Sequence, residues 1–192
     1  MSYGFENLHY EEQAFSLFPY YPWHSNDKNE VTGKILDFKK NYPVAVNWFQ
    51  QCAEQAIAYS EADLLGIASP WYTMAIPGSR SGVPNTPCER VGAHLESKFV
   101  WILHLPYALE RTQSVPKSAT ASKEGRPRPS YETHKKTIRY VGPPRLISVA
   151  GILLIDDVLT TANTFHACRD ILRETTSCEH IFGLFMGRTQ FA

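Results

Sequence analysis

The sequence predicts an α/β fold with a mainly parallel sheet flanked by helices, and three observations carry that expectation. Short apolar runs alternate with helical patterns through the second half of the chain. One such run, 152–155, meets the adjacent carboxylates Asp156 and Asp157, crosses a hydroxyl-rich stretch and enters an amphipathic helical pattern. A chain of 192 residues, 43% of them hydrophobic, has the material for one packed domain.

Residues 1–30 mix Phe15, Phe18, Tyr20, Tyr21 and Trp23 with Pro19 and Pro22 and show no clean period. Such an aromatic stretch reads as an ordered extension packed onto the domain, since disordered tails are poor in aromatics. Supplying stacking surfaces to a ligand is its alternative role. Residues 31–40 and 43–59 read as helices, the second with Val44, Trp48, Cys52 and Ala56 at helical spacing and Pro43 in its first turn. Residues 63–69 and 71–76 read as strands. An amphipathic helix over 88–99 carries Val91, Leu95 and Phe99 on one side. A buried strand over 100–105, a short one over 137–141, the strand 151–156 and a last strand over 180–186 complete the series. The helix after Asn163 places Phe165, Cys168, Ile171 and Leu172 on one face. There are no internal repeats.

The formal net charge is +0, but residues 111–139 carry eight Lys/Arg against two Glu, so the rest of the chain is net −6. Cys52, Cys88, Cys168 and Cys178 form no C-x-x-C pair and no metal-ligand spacing, which predicts free thiols in a reducing compartment. Neither a signal peptide nor a membrane span is visible, so the expected location is cytoplasmic.

The acid pair and the loop after it form a physical device. A helix N-terminus offers free amides and a partial positive charge to a phosphate. The carboxylates beside it can accept from sugar hydroxyls or hold a divalent cation through water. The plainer alternative is a buried strand ended by Asp157, with Thr161 or Asn163 capping a helix. A second loop, 77–82, contains Gly78, Ser79, Arg80 and Gly82. Its amides and guanidinium suit an anion, although Pro-Gly and Ser-Gly are also ordinary turn dipeptides. The segment 111–136 is long, basic and poor in large apolar residues, which suggests either a solvated insertion or a mobile lid. His104 reads as a satisfied core residue, and Arg188, Trp71 and Tyr72 as structural. His134 lies within ligand range without being assigned a role.

Residues 153–164, in which an apolar run, the two acids, an apolar residue and one free position lead into Thr160, Thr161, Ala162, Asn163 and Thr164, resemble the phosphoribosyl diphosphate (PRPP) motif of type I phosphoribosyltransferases. Ala162 stands where that family usually has Gly. The finer layout is similar to the ComF-like members: residues 35–40 resemble their leucine-lysine helix, and Leu109, Arg111, Thr112 and Gln113 their Leu-x-Arg stretch. Their four-cysteine zinc ribbon is absent from this sequence. The resemblance spans roughly residues 31 to 189.

The resemblance implies a type I phosphoribosyltransferase core over 61–192, a small N-terminal hood over 1–60 and a flexible basic lid over 111–136. It implies that Asp156 and Asp157 face the ribose hydroxyls, and that Thr160, Thr161, Ala162, Asn163 and Thr164 wrap the 5′-phosphate. Gly78, Ser79 and Arg80 would meet the diphosphate, joined by Lys117, Arg126 and Arg128 when the lid closes. Mg²⁺ would arrive with PRPP rather than on direct protein ligands, with water-mediated contact to Asp156 or Asp157. The expected partners are PRPP and an unidentified base, in a homodimer. A rival from another class is a non-catalytic PRPP or nucleotide binder, acting as a sensor or as an accessory factor in DNA uptake or processing. Nucleic-acid binding through the basic segment ranks last, because aromatics are nearly absent from it.

Overall fold

A computed structural model of the chain describes residues 13–21, 30–61, 64, 69–117, 127–143, 146, 149–176 and 178–190. Its centre is β6 (Gly151–Leu159), whose apolar residues are buried on both faces, as a continuous hydrophobic run requires. Around it lie β1 (Ala14–Tyr20), β2 (Trp71–Ala75), β3 (Ile102–His104) and β7 (Ile181–Thr189) in the order β1-β7-β6-β2-β3. All four pairings are parallel. The fold is therefore α/β with a mainly parallel five-stranded sheet flanked by helices.

Side-chain alternation along β6 feeds two cores. Leu153 and Ile155 join a cluster with Ile35 and Phe38 of α1 (Glu30–Lys39), Val46 and Phe49 of α2 (Pro43–Tyr59) and Val91 and Leu95 of α3 (Thr86–Lys98). Ile152 and Leu154 turn the other way, onto Phe165, Cys168, Ile171 and Leu172 of α5 (Asn163–Thr176). The predicted apolar face of α5 is the one that is buried. On α2 the buried face is instead Ala45, Val46, Phe49, Cys52, Ala53, Ala56 and Ile57, and Val44 is 84% exposed.

Four expectations are corrected by the sheet. The irregular N-terminal stretch contains β1, an edge strand in register with β7 from Ala14↔Gly183 to Tyr20↔Thr189. Pro19 fits there because an edge strand has one side without ladder bonds. Together with α1 and α2, this strand packs against the same core as β6. Second, the strand expected over 100–105 shrinks to three residues at the opposite edge, with Val100 fully exposed and Leu103 38% exposed. Third, β6 does not stop at the acids but continues through them to Leu159. Fourth, the strand expected near 137–141, β5 (Ile138–Tyr140), lies outside the main sheet, in an antiparallel ribbon with β4 (Leu109–Arg111). The strand expected over 63–69 falls mostly outside the described residues; Leu64 donates its N–H to Ser60 O at 3.0 Å, a helical turn.

The described part of the basic segment is ordered. Helix α4 (Tyr131–Thr137) starts at Ser130, whose Oγ accepts from Thr133 N at 3.3 Å. It is tied to α5 by Tyr131 Oη to Asp170 Oδ2 at 2.7 Å and Lys135 Nζ to Glu174 Oε1 at 2.6 Å. These contacts dock residues 131–135 onto α5. The remaining positions, including Arg126, lie outside the described residues. All four cysteines are buried and free. Among the described residues no helix is long and apolar enough to cross a membrane.

Candidate functional site

Two loops leave the C-terminal ends of the neighbouring parallel strands β2 and β6, and the acid pair lies between them. In parallel α/β sheets this edge is where ligands bind. Asp156 Oδ1 accepts from Asp157 N at 2.8 Å and from Asn85 Nδ2 at 3.3 Å. The same Asn85 amide donates to Ile76 O at 2.9 Å, clamping the end of β2 to the first acid. Asp157 Oδ1 lies 3.3 Å from Lys39 Nζ, at the end of α1. Burial, then the neighbouring Asp157 charge, push the Asp156 carboxyl well above the usual carboxylate range. Burial opposes the charge of Lys39, but Asp157, Tyr20 and Asp156 together outweigh it and raise its pKa. Cys88 is fully buried beside the acids, and burial followed by their charges drives its thiol far up. That thiol is inert packing.

The loop after β6 has an unusual backbone at Ala162. Its φ is +57°, in the left-handed region where a Cβ is unfavourable and glycine is at ease. The conformation is the one a glycine would supply, adopted here by alanine. Ala162 O then accepts from His166 N at 2.9 Å, starting α5. Thr160, Thr161 and Ala162 line a pocket of about 180 Å³, shared with Ala14, Leu159, His166 and Arg188. That is far more than the roughly 15 Å³ that admits a water. Arg188, read from sequence as structural, therefore borders the loop. The other two loop side chains turn elsewhere: Asn163 Nδ2 donates to Pro129 O at 3.3 Å, and Thr164 Oγ1 lies 3.2 Å from His134 Nε2.

The loop after β2 is held by its carbonyls. Gly78 O accepts from Arg111 Nε at 2.5 Å and Ser79 O from Val115 N at 2.8 Å. In a trans peptide the C=O and the following N–H point in opposite directions. The amides of Ser79 and Arg80 therefore face away from these donors, and neither meets an acceptor among the described residues. Ser81 N donates to Ser114 Oγ at 2.9 Å, and Ser81 Oγ to Thr112 O at 3.0 Å. Residues 112–115 thus lie across the loop, and Lys117, exposed like Arg80, follows two positions later. Arg128 is half-buried ahead of α4.

Arg111, the first residue of the expected lid, is instead a buried post at 4% exposure. Besides Gly78 O, it donates to Thr137 Oγ1 at 2.7 Å and lies 3.2 Å from His134 Nδ1. Burial, then the adjacent guanidinium, push His134 down to about 4, so the imidazole is neutral at pH 7. His104 is satisfied inside the protein, as expected, between Glu89 Oε2 at 2.9 Å and Thr73 Oγ1 at 3.0 Å.

The chain matches no protein-family model and no curated protein. The site therefore stands on its own residues. Sequence reasoning named the acids and both loops; it missed Lys39, Asn85, Arg111 and His134 as parts of the site. Lys39 had a signal in the apolar-basic pattern of 35–40, whereas nothing near Asn85 marks it. Among the described residues no group of three or more His, Cys, Asp or Glu could hold a metal. The acid pair, already engaged by Lys39 and Asn85, offers a cation only a shared or water-mediated contact.

Proposed function

We propose that the chain is a phosphoribosyltransferase with a type I phosphoribosyltransferase core, which binds Mg–PRPP and transfers 5-phosphoribose to a nitrogenous base. The observation that supports this reading most is an acid pair set between two anion-suited loops on adjacent parallel strands, with Ala162 holding the glycine-like φ of +57°. The loop at Thr160–Thr164 takes the 5′-phosphate, with amides of the first turn of α5 as donors. Asp156 and Asp157 accept from the ribose hydroxyls. The amides of Ser79 and Arg80, with the Arg80 and Lys117 cations, take the diphosphate.

In the reaction the C1–O bond breaks with its electron pair leaving on diphosphate, and a base nitrogen donates the pair that forms the new C1–N bond. A proton leaves that nitrogen where the base carries one. No protein nucleophile is required; positioning of the reactants and stabilisation of charge on the leaving group lower the barrier. Mg²⁺ enters as part of the substrate and neutralises part of the diphosphate charge.

A second reading, a PRPP or nucleotide binder without transfer, is favoured by one observation: Lys39 already occupies Asp157, so this carboxylate must be shared between a cation and the sugar. Titration calorimetry with PRPP and Mg²⁺, followed by diphosphate-release assays over purine and pyrimidine bases, separates the two. Binding with base-dependent release supports the transferase. Binding without release under any base supports the second reading, and absence of binding defeats both.

A further inference from the structure

Gly78 and Thr164 belong to different loops, yet one chain of hydrogen bonds, buried at its centre, joins them. It runs from Gly78 O to Arg111 Nε at 2.5 Å, from Arg111 Nη2 to His134 Nδ1 at 3.2 Å, and from His134 Nε2 to Thr164 Oγ1 at 3.2 Å. Chemistry fixes the direction of every link. A guanidinium has donors and no acceptor, so His134 Nδ1 must accept from Arg111. A neutral imidazole carries one ring proton, which must then sit on Nε2 and point at Thr164 Oγ1. Thr164 accepts it, and its own hydroxyl proton meets no acceptor among the described residues. His134 is 6% exposed and Arg111 4%, so water does not compete freely for these positions.

We propose that His134 is a positioning residue, which fixes Thr164 as a hydrogen-bond donor toward an acceptor-only ligand group, a phosphate oxygen. Through Arg111 it also ties that setting to the loop that holds the leaving diphosphate. The inference rests on the phosphoribosyl reading of the site and adds a specificity to it. A donor-only Thr164 favours a phosphorylated sugar over the same sugar ending in a hydroxyl, because a phosphate dianion offers only lone pairs. It also explains a neutral histidine beside a buried arginine: a second cation there would break the Arg111 contact.

Two measurements on the full chain test this. Nitrogen NMR of the labelled protein reads the tautomer of His134, expected to be protonated at Nε2 and bare at Nδ1. Titration with ribose 5-phosphate, and with Mg–PRPP, is then run on wild type, His134→Leu, His134→Gln, Thr164→Val and the Leu/Val double variant. His134→Leu and Thr164→Val are each expected to weaken ribose 5-phosphate by about tenfold, the worth of one hydrogen bond to a charged group. The double variant should lose no more than either single change, since both remove one shared contact. His134→Gln, whose side-chain amide can donate to Thr164, should recover most of the loss. A merely structural histidine would give losses that add and no recovery with Gln. Additive losses, unchanged affinity in His134→Leu, or a proton found on Nδ1 overturn the proposal alone. Wild-type protein that binds neither ligand overturns the phosphoribosyl reading and this proposal with it. Should His134→Leu fail to fold, the tautomer, Thr164→Val and the Gln variant still decide.

Discussion

Lys39 Nζ lies 3.3 Å from Asp157 Oδ1, so the last turn of the first helix delivers a cation to an acid on the central strand. The contact sets a cation beside a carboxylate whose neighbour, Asp156, is pushed toward its neutral form by burial and like charge.

Replacing Lys39 by Met should raise the Asp156 pKa further and weaken Mg–PRPP by roughly tenfold near neutral pH, corresponding to about one pKa unit. The loss should shrink as the pH is raised and Asp156 ionises without help. Calorimetry across a pH series checks this, and a loss independent of pH would show that Lys39 touches the ligand itself.

Asp157→Asn should abolish Mg–PRPP binding with the fold intact, read by titration and circular dichroism. Asp156→Asn should also impair binding, yet stabilise the protein at neutral and mildly alkaline pH by about 1 kcal/mol. The raised pKa of Asp156 means that, above the ordinary carboxylate range, the native state holds a proton which the unfolded chain has released. Its contribution to stability is therefore greatest at low pH and falls as pH rises through the raised value. Denaturation melts of wild type and Asp156→Asn should diverge in that window, the wild type falling.

Ala162→Gly should stabilise the chain by about 1 kcal/mol, because glycine adopts a φ of +57° without the Cβ penalty. Phosphate-ligand affinity should be kept or improved. Thermal melts and ribose 5-phosphate titration check both, and a large affinity loss would show that the loop does not hold the ligand.

Arg111→Lys should be far from conservative. A lysine ammonium cannot reproduce the fork that serves Gly78 O, Thr137 Oγ1 and His134 Nδ1 together. A loss of about 2–4 kcal/mol in denaturant melts is expected from the acceptors left unsatisfied, with weakened diphosphate binding.

Legibility in the sequence followed the size of the physical signal. The helices over 43–59 and after Asn163 were readable because three or more turns repeat an apolar face, and β6 because four apolar residues in a row precede its acids. The strand β1 was obscured because an edge strand with Pro19 and aromatics on both sides lacks strict alternation. Helix α4, seven residues long, is too short for a period and lies in a basic run that composition assigns to solvent. Arg111 and His134 were illegible as buried posts for the same reason: only the tertiary structure shows a charged residue acquiring partners far along the chain. The acids and loops were legible because neighbouring residues carry their chemistry, whereas Lys39 and Asn85 reach them across folds of the backbone.

The pairing of β1 with β7 sets the order in which this protein can be completed. Ala14 waits for Gly183, nearly the full length of the described chain, before it finds a strand partner. During synthesis β1 must wait for β7 to emerge before this pairing can form, and contacts of such long range are slow to form. A nascent polypeptide lacking β7 thus exposes a flank of β6, making β7 the keystone of assembly as well as an element of the finished sheet.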